Sequence, residues 1–182
     1  MNNIHIYIPV LAALAALLFA VMKYLLIMKQ DEGSGEMKDI AKMIQDGAFA
    51  FLKAEYTWLA FFVAFVFLAI AVSPAELGLG IRTSVAFLCG AVASGLAGLF
   101  GMHTATRAAV RTTQAATKSV QGALSVAFNS GLVMGFCVVG LGLVGISGLL
   151  MVYVGDGMVT EPILEQVLGF SFGASSIALF AR

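Results

Sequence analysis

Apolar residues run along this chain in long blocks, and polar residues collect between them. The first block covers residues 4–29 and holds almost no charge before Lys23 and Lys29. It predicts a helix long enough to cross a bilayer, which takes about 20 residues. Pro9 suits the first turn of that helix, where its missing N–H costs little. No basic residue precedes the block, and it exceeds the apolar length of a signal peptide, so a retained helix is the reading. Residues 30–56 change pattern. After a turn at Gly33 and Gly35, apolar Met37, Ile40, Ala41, Ile44, Ala48, Phe51 and Leu52 recur at spacings of three and four. That period is helical. Read as a solvated extension, this charged helix leads straight into a second span at 56–72, which opens with Tyr56 and Trp58, residues suited to a membrane interface; the alternative is an amphipathic helix lying on the membrane surface. Ser73 and Pro74 end the span.

Three further spans follow, at 81–102, 126–152 and 162–182. Gly90, Ser94 and Gly98 form a four-residue stripe on the third. Ala127, Gly131 and Gly135 repeat that spacing on the fourth, before Gly140, Gly142, Gly145 and Gly148. Gly169 and Gly173 repeat it on the fifth, which starts at Glu161 and Pro162. Small residues at this spacing let membrane helices approach closely. The expected fold is therefore an all-α, polytopic transmembrane bundle of five spans, its glycines buried within something larger.

Composition strengthens this reading. The 182 residues are 60% hydrophobic and 11% charged, too few polar residues to cover a water-facing domain of this size. Ten Lys and Arg balance ten Asp and Glu, which implies no nucleic-acid partner. Cys89 and Cys137 sit inside apolar blocks without a ligand cluster and read as packing residues. Charge also orients the chain. Lys23, Lys29, Lys38, Lys42 and Lys53 surround the first connection, and Arg107, Arg111 and Lys118 occupy the third. The second carries Glu76 and Arg82; the fourth carries Asp156, Glu161 and Glu165 and no cation. The positive-inside rule places connections one and three in the cytoplasm and the N-terminus outside.

Residues 101–117, GMHTATRAAVRTTQAAT, are the polar exception. If helical, His103, Arg107, Arg111, Gln114 and Lys118 share one face. Two readings stand: a helix extension meeting lipid phosphate, or a polar face packed on a larger module or an anionic ligand. The threonines either cap helix ends or bond backbone carbonyls. His103 and His5 lack companions for a metal site. Arg182 closes the last apolar block. It either snorkels or pairs with a carboxylate from another helix; an ionisable residue at that depth marks a functional site. The chain stops there without a polar tail, as an interrupted chain would.

Several stretches carry a family resemblance: MKDIAKMIQDGAFAFLKAEY at 37–56, FLCGAVASGLAGLFGMHTATRAAVRTTQAA at 87–116, ALSVAFNSGLVMGFCVVGLGLVGI at 123–146 and GFSFGASSIALFAR at 169–182. Beyond about residue 35 the chain resembles the N-terminal part of the membrane-bound inorganic pyrophosphatases, pyrophosphate-energised proton or sodium pumps. The resemblance implies a homodimeric protein of about sixteen spans in the cell membrane. It would hydrolyse pyrophosphate with Mg2+, in some members with K+, and move H+ or Na+ outward. The family's acidic magnesium-binding motifs follow later in its sequence; no Asp–Asp–Lys cluster of that kind occurs in residues 1–182. The catalytic and metal-binding residues are thus expected outside this chain. Arg182 corresponds to an arginine at the ion gate, Ser175 and Ser176 lie on the same inner-ring helix, and Arg107, Arg111 and Lys118 belong to a basic cytoplasmic loop. The alternative is a short membrane scaffold or channel subunit.

Overall fold

The computed structural model describes residues 4–73, 79–155 and 160–180. They form five helices: α1 Ile4–Met28, α2 Gly35–Ala71, α3 Ile81–Ala116, α4 Val120–Val154 and α5 Glu161–Phe180. Each is long and apolar enough to cross a membrane. α2, α3 and α4 have 37, 36 and 35 residues. At 1.5 Å per residue each is over about 50 Å long, well beyond a hydrocarbon core of about 30 Å, so all three protrude. The charged helix expected before the second span is continuous with it, and the third and fourth helices also run beyond their apolar spans. α2 takes in the whole charged segment from Gly35. α3 continues through the polar stretch to Ala116, leaving a short turn before α4. Pro9 is another difference: α1 begins at Ile4, so the proline lies inside the helix rather than in its first turn. Spanning helices tolerate this because neighbours and local adjustment re-satisfy the freed backbone group.

Local chemistry sets the boundaries on the polar side. Ser34 caps α2 and its Oγ accepts from Met37 N–H at 3.4 Å. Ser119 caps α4 in the same way, accepting from Gly122 N–H at 3.0 Å. Each satisfies a donor that the first helical turn leaves free. Along the α3 extension, Thr104, Thr106 and Thr113 donate to the carbonyls of Phe100, Met102 and Ala109 at 2.8, 2.9 and 3.1 Å. The threonines bond backbone, as one of the two readings required.

α3 is the central helix. It packs against α4, α5 and α2, and α1 lies against α4. α3 and α5 run parallel: Thr83 meets Gly169, Phe87 meets Gly173, and Ala91 clusters with Ile177. Their contact is backbone on backbone. A Cβ at Gly90 would fall on the Phe170 carbonyl, and one at Gly173 on the Phe87 carbonyl. The Phe170 ring fills the space beside Gly145 of α4. Gly140 receives Leu17 of α1. The expected stripes are therefore shared among several partners: Gly98 faces the Tyr56 hydroxyl of α2, while a Cβ at Gly131, Gly135, Gly142 or Gly148 would meet nothing within 4 Å. Outward-facing Leu14, Leu18, Trp58, Phe61 and Phe65 are exposed, an apolar coat suited to lipid.

Candidate functional site

The polar end of α3 meets the connection between α1 and α2. α1 ends at Met28, and its last carbonyls have no partner within the helix. Arg111, one turn beyond Arg107 on α3, reaches that end. Its Nη2 donates to the Met28 carbonyl at 3.5 Å and to Glu32 Oε1 at 2.7 Å; its Nη1 donates to the Arg107 carbonyl at 2.7 Å. The Arg111 side chain is 7% exposed and the Glu32 side chain 41%. A cation here also suits the negative end of the α1 dipole. Arg111 Nε is buried without a partner.

Beside this pair the turn is fixed again. Asp31 Oδ1 accepts from Gly33 N–H at 3.0 Å, and Oδ2 accepts from Gln114 Nε2 at 3.2 Å, with Lys118 Nζ at 3.9 Å. The Gly33 N–H first, and Gln114 next, hold the Asp31 carboxyl below its ordinary value. Gly33 has φ +84, and a Cβ there would stand 2.7 Å from Gln114 Oε1. The positive φ is what favours glycine; the Gln114 side chain can move aside.

On the membrane side of Arg111, Arg107 Nη1 donates to His103 Nδ1 at 2.8 Å. A guanidinium only donates, so Nδ1 is the acceptor and the imidazole is neutral with its proton on Nε2. That nitrogen then donates to the Tyr24 hydroxyl oxygen, 3.2 Å away on α1.

All five residues of the expected polar face thus enter one clasp. Its partners within the chain are Tyr24, Asp31 and Glu32. Arg107 and Arg111 lie in α3 itself; of the basic loop only Lys118 falls in the connecting turn. Asp31 and Glu32 were not singled out from the sequence, although an acidic pair beside a turn glycine, opposite a basic face, was the available signal. The clasp holds no nucleophile beside a base. Its bonded donors and acceptors fix the α1–α2 turn against α3.

The other expected site residues lie apart. Ser175 is exposed on α5, and Ser176 Oγ donates to the Phe172 carbonyl at 2.8 Å. Arg182, Glu76, Pro74, Asp156 and the His5 side chain lie outside the described residues. Among the described residues no three His, Cys, Asp or Glu side chains converge to hold a metal ion. These described residues do not fit a magnesium site.

A family model described as inorganic H+ pyrophosphatase matches residues 14–182. A Clostridium tetani protein, provisionally described as a K(+)-stimulated pyrophosphate-energized sodium pump, is 45% identical over 182 residues, 100% of this chain and 25% of its own. A K(+)-insensitive pyrophosphate-energized proton pump of Methanosarcina mazei is 40% identical over 177 residues, 97% of this chain and 25% of its own. Pyrophosphate-energized membrane proton pump 3 of Arabidopsis thaliana is 36% identical over 179 residues, 86% of this chain and 22% of its own. The chain spans about a quarter of the length of the curated relatives it matches.

Proposed function

The chain belongs to the inorganic H+ pyrophosphatase family, and we propose that it forms the N-terminal helices of a pump coupling magnesium pyrophosphate hydrolysis to outward H+ or Na+ transport. The carrying observation is the family match over 14–182 on a chain of five membrane-crossing helices. The pump is a homodimer of about sixteen spans per chain; its relatives divide between K(+)-stimulated and K(+)-insensitive pumps, and K+ is a cofactor in some of them. Hydrolytic carboxylates and magnesium lie outside residues 1–182. Arg182 acts near the ion gate: a guanidinium stays charged and offers directed donors that hold a carboxylate ionised. Ser175 and Ser176 lie on the same helix.

The test is hydrolysis and ion uptake measured together in sealed vesicles of the full-length protein, with a pH-sensitive dye and with labelled sodium. Pyrophosphate- and Mg2+-dependent uptake of one ion is expected. Arg182→Ala is expected to depress uptake at least as strongly as hydrolysis, with Arg182→Lys between. Hydrolysis without uptake of either ion would reject the pump. Parental uptake per pyrophosphate in the Ala form would reject the role of Arg182.

The N-terminus lies outside and the clasp in the cytoplasm, supported by the cations gathered at that end. Single cysteines at Ser34 and Thr113, in a background lacking Cys89 and Cys137, are expected to resist impermeant thiol reagents on intact cells. One at Gly155 is expected to react. External labelling at Thr113 would reverse the orientation.

A further inference from the structure

We propose that His103 is a pH-sensitive switch in the clasp: neutral, it holds Arg107 on the face of α3, and charged, it lets Arg107 go. Tyr24, His103 and Arg107 stand in a row, linked at 3.2 and 2.8 Å. The two links answer a proton differently. Nε2–H donates to the Tyr24 hydroxyl in both states of the ring. Nδ1 accepts from Arg107 only while it carries no hydrogen. Once protonated it is a second donor, and it faces a guanidinium that has no acceptor to offer. The bond becomes a contact between two cations four residues apart on one helix, a pairing that destabilises.

Position makes the proton available. The Tyr56 hydroxyl, at the interface marked by Tyr56 and Trp58, lies beside Gly98. His103 stands five residues beyond Gly98 toward the clasp, about 7 Å along the helix axis, and is exposed there. Histidine is the side chain whose charge changes near neutral pH. Partial desolvation first, and Arg107 second, hold this ring below the ordinary value of 6.5. The lowered value means that the folded clasp favours the neutral ring. Its contribution is present in full above about pH 6.5 and is lost as pH falls through the lower value.

The neighbours single out Arg107. His103 borders two hollows. One, of about 290 Å3 between α1, α3 and α4, also carries the Tyr24 phenol and the Cys137 thiol. The other, of about 250 Å3 between α2 and α3, also carries Arg107 with Gln45 and Asp46 of α2. No α5 residue lines either one. Lys23, next to Tyr24 in the chain, places its Nζ over the Phe19 ring, 5.3 Å from the centre. Arg107 is thus the cation bonded to the ring. Asp46 is the carboxylate that opposes it, because a negative charge favours the charged imidazole.

The test uses the full-length protein in nanodiscs with isotope-labelled histidine. The His103 resonances are those lost in His103→Gln. Their midpoint is expected below pH 6.5. Arg107→Gln should raise it by about 0.7 of a pH unit, the effect of one charge at about 4 Å in water-like surroundings. The consequence for the clasp is read by amide hydrogen exchange over residues 100–116, as the ratio of parent to His103→Gln at the same pH. That ratio cancels the pH dependence of exchange itself. Glutamine keeps an acceptor for Arg107 and a donor for Tyr24 but takes up no proton. The ratio should be about one at pH 8 and about four- to fivefold at pH 5, the equivalent of that 0.7 of a unit. His103→Lys, charged throughout, should exchange faster than His103→Gln at both values. A ratio near one at both pH values would overturn the proposal. So would a midpoint that Arg107→Gln leaves in place, or one that moves with Asp46→Asn and not with Arg107→Gln.

Discussion

Gly90→Ala and Gly173→Ala are each expected to destabilise the folded protein by about 3 kcal/mol, the upper part of the range for overpacking. The added methyl at Gly90 falls on the Phe170 carbonyl, and that at Gly173 on the Phe87 carbonyl. A clashing side chain changes rotamer; a backbone carbonyl inside a helix moves only with its helix. Relief therefore needs α3 and α5 to separate, which also loosens the cluster of Ala86, Leu149, Val167 and Phe170. Gly47 supplies the contrast. It lies in α2 with nothing within 4 Å of its Cβ position, so Gly47→Ala should be neutral or stabilise by up to about 1 kcal/mol, as helix propensity dictates. Reversible unfolding in mixed micelles would compare the three variants. If Gly90→Ala and Gly47→Ala were equal within error, the backbone contact between α3 and α5 would be refuted.

This contact shows how far the sequence could be read. Spacing alone announced that Gly90, Gly169 and Gly173 serve close approach, because small residues at four-residue intervals have few other uses in a membrane. Spacing could not name the partner. Gly90 and Gly98 share one stripe yet face α5 and α2, since neighbouring positions along a long helix meet different helices. The apolar blocks located all five helices; helical periodicity in the charged sequence extended α2, while α3 and α4 ran beyond their apolar spans. Apolarity measures depth in the bilayer, whereas backbone bonding, with Thr104, Thr106 and Thr113 as side-chain adjuncts, continues beyond it. The shared face from His103 to Lys118 was legible because helical periodicity survives in polar sequence. Its partners were not: Tyr24, Asp31 and Glu32 lie some eighty positions away along the chain. Only tertiary placement of the α1–α2 turn brings them in.

That placement predicts an asymmetry in the clasp. Glu32→Ala is expected to cost about 3 kcal/mol, near the lower end for breaking a buried pair from one side. Arg111→Met is expected to cost only about 1 kcal/mol, in the range of one net hydrogen bond. The two side chains differ in burial, 7% exposed for Arg111 and 41% for Glu32. Without Glu32, the guanidinium stays in a site that water barely reaches, with only the Met28 and Arg107 carbonyls for company. Its Nε is already without a partner. Without Arg111, the Glu32 carboxylate turns to solvent and is rehydrated, while methionine fills much of the vacated apolar volume. The double variant should then resemble Arg111→Met alone, because removing the arginine removes the buried charge that makes loss of Glu32 costly. Unfolding free energies of the parent, both single variants and the double variant form the required cycle. Additive losses, or a larger loss for Arg111→Met than for Glu32→Ala, would show that the clasp does not depend on neutralising Arg111. The expected order would instead place the stability of this end of the bundle in one turn carboxylate, with Arg111 retained to fix where that turn sits on α3.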